Sequence, residues 1–204
     1  MFLTGNIYVL ESTGGSHVYA LRVGQGVVLV DTSLGGKAKQ IADELDANGL
    51  GDVVAILLTH HDVDHIGNAA ALQAKYHCDV YISATDLPYV QGAKKRHGVK
   101  KVIGALVKTK PPEHLLPLPD DDLFGIQVIP TPGHTPGHTC YLFDGVLFAG
   151  DLLNSRGGAL RKSQPLMTWN ISQVDKSAAL INGLHFDWVC PGHGAPVKTS
   201  RVDA

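Results

Sequence analysis

Thr59-His60-His61-Asp62-Val63-Asp64-His65 follows directly on the apolar run Val53 to Leu58. A continuous apolar run of that length, bounded by polar residues, reads as a strand buried on both faces. The loop after it therefore opens where a strand leaves a sheet. Residues two apart in extended chain point the same way, so His60, Asp62 and Asp64 converge on one region. His65, next to Asp64, is free to turn toward a second.

Three further stretches repeat this arrangement of an apolar run feeding a polar loop. They are Thr131-Pro132-Gly133-His134-Thr135-Pro136-Gly137-His138, Ala149-Gly150-Asp151 and Pro191-Gly192-His193-Gly194. Six of the eleven histidines fall in the four loops, at strand exits, where α/β folds build their sites. Neutral imidazole and carboxylate are donors that borderline divalent ions accept. The flanking glycines and prolines hold His134 and His193 in fixed turns, which lowers the entropy lost on assembling a site.

In this order and spacing the four loops resemble the metallo-β-lactamase superfamily. The first is similar to its H-x-H-x-D-H motif, and the others to its PGH, GD and PGHG blocks. The resemblance implies an α/β fold, a four-layer αββα sandwich, as a single domain over residues 1–204. It also implies a glyoxalase II-like hydrolase with two divalent metal ions, zinc first and iron or manganese as alternatives. By that pattern His60, Asp62 and His134 bind one ion, Asp64, His65 and His193 bind the second, and Asp151 bridges them. Asp62 stands where the motif usually has its second histidine. A carboxylate still ligates there, but it changes the charge and hardness of the position.

The activity so implied is attack by a metal-activated water on a small ester, thioester or lactone, with Asp64 orienting the nucleophile. Two other readings share the scaffold. One is a mononuclear iron, persulfide dioxygenase-like oxidoreductase; the other is a non-catalytic metal-binding relative. Around the ligands, His61 reads as a supporting or surface residue and His138 as one that packs or hydrogen-bonds behind the site. Asp31 resembles the family's early Val-Asp-Thr turn and reads as a supporting partner. Arg156, in Ser155-Arg156-Gly157-Gly158, is either a bidentate holder of a substrate carboxylate or phosphate or an exposed loop arginine. Lys94, Lys95, Arg96, Lys100, Lys101, Lys108 and Lys110 read as a solvated face, with attraction of an anionic substrate as the minor alternative.

Bulk properties agree with a protein acting on small molecules. Apolar residues make up 44% of the 204, and 17 basic residues face 19 acidic ones, a net charge of -2. That balance argues against a nucleic-acid partner, which calls for a basic excess. Met1 to Leu10 lacks the basic start and apolar run of a signal peptide, and no apolar run approaches the ~20 residues of a membrane span. Cys78, Cys140 and Cys190 are odd in number and widely spaced, so the expected setting is a reducing cytoplasm. The sequence carries no signal for oligomeric state.

Strands are expected over 6–10, 18–23, 27–30, 53–58, 80–82, 126–130, 140–143, 146–149 and 188–190. Helices are expected over 37–48 and 66–76, and over most of 85–97. Residues 98–119, with four prolines, read as irregular chain or a partial lid. A last helix begins at a capping box of Ser172 and Asp175 and carries Val174, Ala178, Ile181 and Leu184 on one face.

Overall fold

The computed structural model describes residues 1–202. An antiparallel meander opens the chain, formed by β1 (Ile7–Val9), β2 (Tyr19–Val23) and β3 (Gly26–Val30). Helix α1 (Ala38–Ala47) then crosses to β4 (Val53–Leu57), which lies parallel to β3. Two short helices, α2 (Val63–Ile66) and α3 (Ala69–Tyr76), lead to β5 (Asp79–Ile82). Helices α4 (Leu87–Val90) and α5 (Gly98–Leu106) precede β6 (Leu115–Pro117), which closes a six-stranded sheet in the order β1-β2-β3-β4-β5-β6.

The second half builds another sheet from β7 (Asp122–Leu123), β8 (Ile126–Pro130), β9 (Thr139–Phe143) and β10 (Val146–Gly150). A separate hairpin follows, β11 (Leu153–Arg156) with β12 (Ala159–Lys162). Helix α6 (Ile171–Ile181) then returns the chain to β13 (Trp188–Pro191) and β14 (Val197–Lys198), giving the order β14-β13-β10-β9-β8-β7.

Strand alternation sorts the apolar side chains into three layers. Val28, Val30, Ala55 and Leu57 of the first sheet meet Val128, Tyr141, Val146 and Phe148 of the second. Their neighbours Leu29, Ile56 and Val80 turn outward onto Ile41, Leu45, Ala69 and Leu72 of α1 and α3. On the far side Ile129, Leu147 and Val189 pack on Val174 and Ile181 of α6. Two sheets face to face with helices on both outer surfaces make the four-layer αββα sandwich.

The helix expected across 85–97 is confined to Leu87–Val90, because Gly92 takes a φ of 76° that ends it. The irregular chain expected over 98–119 instead contains α5 and β6. Val99, Val102, Ile103 and Leu106 follow a helical spacing that the surrounding lysines and prolines obscured. Helix α6 is capped by Asn170, whose side chain accepts from the Gln173 N–H at 3.1 Å, rather than by Ser172, which lies inside the helix. Gly157 and Gly158, at φ 61° and 79°, supply the two positive-φ residues of a tight hairpin turn.

Candidate metal centre

The four polar loops leave β4, β8, β10 and β13 at one edge of the sandwich. Their side chains meet in three overlapping groups: His60, Asp62 and His134; Asp64, His65 and His193; and His60, His65 and Asp151. All seven residues named by the sequence therefore come together. Asp62 Oδ2 lies 3.1 Å from His134 Nε2 and 3.4 Å from His60 Nε2. Asp64 Oδ2 is 3.2 Å from His193 Nε2, and Asp151 Oδ1 is 3.3 Å from His65 Nε2.

Hydrogen bonds behind the site fix which ring nitrogens face it. Asp31 Oδ2 accepts from His65 Nδ1 at 2.7 Å and from the Thr59 hydroxyl at 2.8 Å. Having donated to Asp31, that hydroxyl is left to accept from His60 Nδ1 at 2.9 Å. Both Nδ1 atoms thus carry the proton, and both Nε2 lone pairs turn inward. Asp31 reaches this position through a left-handed turn, φ 60°, which aspartate tolerates better than most residues. It sits behind two candidate ligands, the supporting place its Val-Asp-Thr turn suggested.

His138 is buried and turned away from the donors. Its Nε2 accepts from the backbone N–H groups of Asp151 and Leu152, both at 3.2 Å, and its Nδ1 lies 2.9 Å from the Thr131 hydroxyl. Burial pushes its pKa down to about 3, so it stays the neutral acceptor that pins the Asp151 turn. Gly150, at φ 47°, makes that turn possible, since a Cβ there would lie 2.7 Å from His138 Nε2.

His61 is also buried, not at the surface. It stacks on Tyr89 with ring centroids 4.4 Å apart, and its Nδ1 is 2.8 Å from Asp86 Oδ2.

Burial and neighbouring charges move the donors of the centre away from their ordinary acidities. Burial would raise the Asp151 carboxyl, but the surrounding histidines, His65 first, hold it well below the usual range. Burial would lower His65, yet Asp151 and Asp31 raise it well above the usual imidazole value. Burial, with the charge of His65 adding to it, depresses His60 strongly. Buried His60 Nε2, Asp62 Oδ1, His65 Nε2 and Asp151 Oδ1 make no hydrogen bond, although His65 Nε2 and Asp151 Oδ1 lie 3.3 Å apart. Buried polar atoms without a hydrogen bond are costly, and His60 Nε2, His65 Nε2 and Asp151 Oδ1, gathered at one place, are what a bound cation would satisfy. A cavity of about 380 Å³ opens over the donors, lined by Asp62, Asp64, His134, Asp151 and His193 with Arg156 at its rim. Arg156 is exposed, near the hairpin turn.

Four more residues join the site: Ser163 and Asp86, not named from the sequence, and Lys100 and Arg96, expected on a solvated face. Ser163 Oγ lies 2.5 Å from His134 Nδ1. Buried Asp86 accepts from the Thr135 hydroxyl at 2.7 Å and the Gly137 N–H at 2.8 Å, which fixes the loop carrying His134. Lys100 is buried as well, its ammonium 2.6 Å from Asp62 Oδ2 and 2.8 Å from His134 Nε2. Arg96 donates twice to the His61 carbonyl, at 2.7 and 3.2 Å. The expectation of a solvated basic face therefore fails at Lys100 and Arg96, because the loop before α5 and its first turn lie against the metal-ligand loop. The apolar spacing of α5 signals the helix but not that Lys100 lies on its buried side.

The fold and donor set define a metallo-hydrolase scaffold. The family model of the metallo-beta-lactamase superfamily matches residues 12–193, and the chain belongs to that superfamily. It is 27% identical to a probable metallo-hydrolase of Methanocaldococcus jannaschii, over 92% of each chain. A hydroxyacylglutathione hydrolase of Shewanella baltica is 32% identical over 82% of this chain, which spans about half (54%) of that enzyme. Among solved structures, TTHA1623 in a di-iron-bound form superposes with a TM-score of 0.75 at 31% identity, covering 94% of this chain and 93% of that one. No helix among the described residues is long and apolar enough to cross a membrane.

Proposed function

We propose that the chain is a metal-dependent hydrolase that directs a metal-activated water onto a small ester, thioester or lactone. The observation that carries this reading is the convergence of buried His60 Nε2, His65 Nε2 and Asp151 Oδ1, none of them hydrogen-bonded, beneath an open cavity. Imidazole nitrogen and carboxylate oxygen suit zinc first, with iron and manganese as alternatives. The Shewanella relative, named as a hydroxyacylglutathione hydrolase, supports a thioester among the candidate substrates.

Asp64, His65 and His193, with Asp151, fit a divalent ion by donor type and mutual distance. His60, Asp62 and His134 form a second group of donors beside these. A bound ion would lower the pKa of water from about 15.7 to about 7 and so supply a nucleophile at neutral pH. The protein does the rest. Asp31 holds the His65 ring and, through Thr59, the His60 ring, while the Asp64 carboxylate faces the cavity, placed to accept a hydrogen bond from the nucleophile and orient it. Arg156, at the rim, is placed to meet a substrate carboxylate or phosphate.

The test is a screen of thioesters, lactones and phosphodiesters with zinc-loaded protein, alongside oxygen uptake with a persulfide. Hydrolysis that Asp151→Ala abolishes, without oxygen consumption, supports the proposal. Oxygen uptake with an iron-loaded chain, or esterase activity unchanged in a metal-free Asp151→Ala protein, refutes it.

A further inference from the structure

Asp62 and Lys100 are both anomalies when taken singly. A carboxylate occupies a motif position that usually holds a neutral imidazole, and a lysine is buried with 7% of its surface exposed, which lysine rarely tolerates unpaired. Together they are explained by one another. Nζ lies 2.6 Å from Asp62 Oδ2 and 2.8 Å from His134 Nε2, with the His134 carbonyl at 3.3 Å. An ammonium has three donors and no acceptor, and here each finds an acceptor. A neutral histidine at position 62 would leave the ammonium without its counter-charge.

We infer that Lys100 is a built-in cation filling the first of the two metal positions, so that the chain binds a single metal ion, through Asp64, His65, His193 and Asp151. The donors at the first position do not fit an additional ion while the lysine is there. An ion at ordinary ligand distance, roughly 2.0–2.2 Å, from both Asp62 Oδ2 and His134 Nε2 would lie within about 4 Å of Nζ. Like charges that close in a buried site repel strongly. His134 supports the same assignment. Its Nδ1 is 2.5 Å from Ser163 Oγ, so Nε2 is free to accept from the ammonium as it otherwise would bind a metal. Lys100 is thus a positioning residue for His134 and Asp62, and it leaves His60 Nε2 to the remaining ion or its water.

This inference rests on the metal-site reading above, and counting zinc separates the two. The full-length chain is stripped with a chelator, dialysed against excess zinc, freed of loose metal and analysed for zinc per chain. One zinc per wild-type chain is expected. Lys100→Met, which keeps the length of the stem and removes the charge, is expected to take up two, and Lys100→Arg to stay at one. The double variant D62H/K100M, which restores a neutral donor set, is expected to hold two and serves if Lys100→Met does not fold. Two zinc ions per wild-type chain would overturn the inference and leave the hydrolase reading standing. A charge-free variant that still held only one would also overturn it, since the lysine would not be what excludes the second ion. A wild-type chain that held none would bring down both readings.

Discussion

The two donor clusters at the sandwich edge share histidines and aspartates but balance their charge in opposite ways. Around His65 lie Asp31 behind and Asp64 and Asp151 in front, at 2.7, 3.9 and 3.3 Å. Among the described residues, Asp64 and Asp151 have only histidines as ion-pair partners. Around His134 the nearest carboxylate, Asp62 at 3.1 Å, is already paired with Lys100, and Asp151 lies further off at 3.6 Å. One cluster carries an excess of negative charge that calls for a cation from outside; the other has taken its cation from the chain. Donor type alone is therefore a poor guide to metal count. The charges within about 4 Å of the donors decide whether a divalent ion is welcome.

Changes on the carboxylate-rich side should be the most damaging. Asp151→Ala removes the carboxylate nearest His65 and is expected to lower kcat/KM on any turned-over thioester by about 1000-fold or more, the scale of losing several kcal/mol of metal-assisted stabilisation. Zinc content should fall with it. A variant that kept both its zinc and its rate would show that the two clusters are not distinct in the way their charges indicate.

On the other side the effect should appear first in stability. Lys100→Met leaves Asp62 buried without its partner, and truncating one member of a buried pair costs about 3–5 kcal/mol. Urea denaturation of the metal-free protein should show a loss of that size. Zinc should then stabilise Lys100→Met more than it stabilises the wild type, because the variant regains a cation at Asp62. Equal stabilisation of the two proteins would contradict the assignment of Lys100.

Asp31 touches the carboxylate-rich cluster from behind. Asp31→Asn keeps the shape but weakens acceptance from His65 Nδ1, and such supporting carboxylates are typically worth about 10–100-fold in metal affinity. A competition titration with a chromophoric chelator reads this directly. An unchanged affinity would mean that the His65 ring is held by its packing and not by the carboxylate.

How much of this could be read from the sequence follows from where each residue sits. His60, Asp62, Asp64 and His65 were legible because they share one polar loop at a strand exit. The period-two spacing nevertheless misdirected Asp64, which lies in helix α2 and groups with His65 and His193 instead of His60 and Asp62. His134, Asp151 and His193 were legible because glycine and proline mark the turns that carry them. Lys100 was not. It lies on a helix whose lysines resemble an exposed face, and whose apolar Val102 and Leu106 are 59% and 79% exposed while the lysine is buried. Amphipathic patterning assigns the faces of such a helix the wrong way round. Asp86 was hidden for a different reason, since its partners Thr135 and Gly137 are some fifty residues away and only the fold brings them together.

Asp86 also provides the mildest probe and a control. Burial alone would raise its carboxyl, but His61, Thr135 and the Gly137 N–H together hold it below the usual carboxylate value. A folded-state pKa below the unfolded one, ordinarily about 3.9, means the stability contribution is complete above that value. It is then lost as the pH falls through the folded-state value. Asp86→Asn cannot titrate and gives up charge-assisted hydrogen bonds, so at pH 7 it should be less stable than wild type by about 1–2 kcal/mol. That gap should narrow once the pH drops below about 4; a gap constant from pH 7 to pH 3 would show that Asp86 is not ionised in the fold. Because Asp86 fastens the His134 loop and has no hydrogen bond or ion pair with Asp64, His65, His193 or Asp151, its loss should leave zinc affinity within about twofold, as groups without shared partners usually act independently. Asp31→Asn would then lower metal affinity where Asp86→Asn lowers only stability, which is the behaviour expected if the ion belongs to the carboxylate-rich cluster.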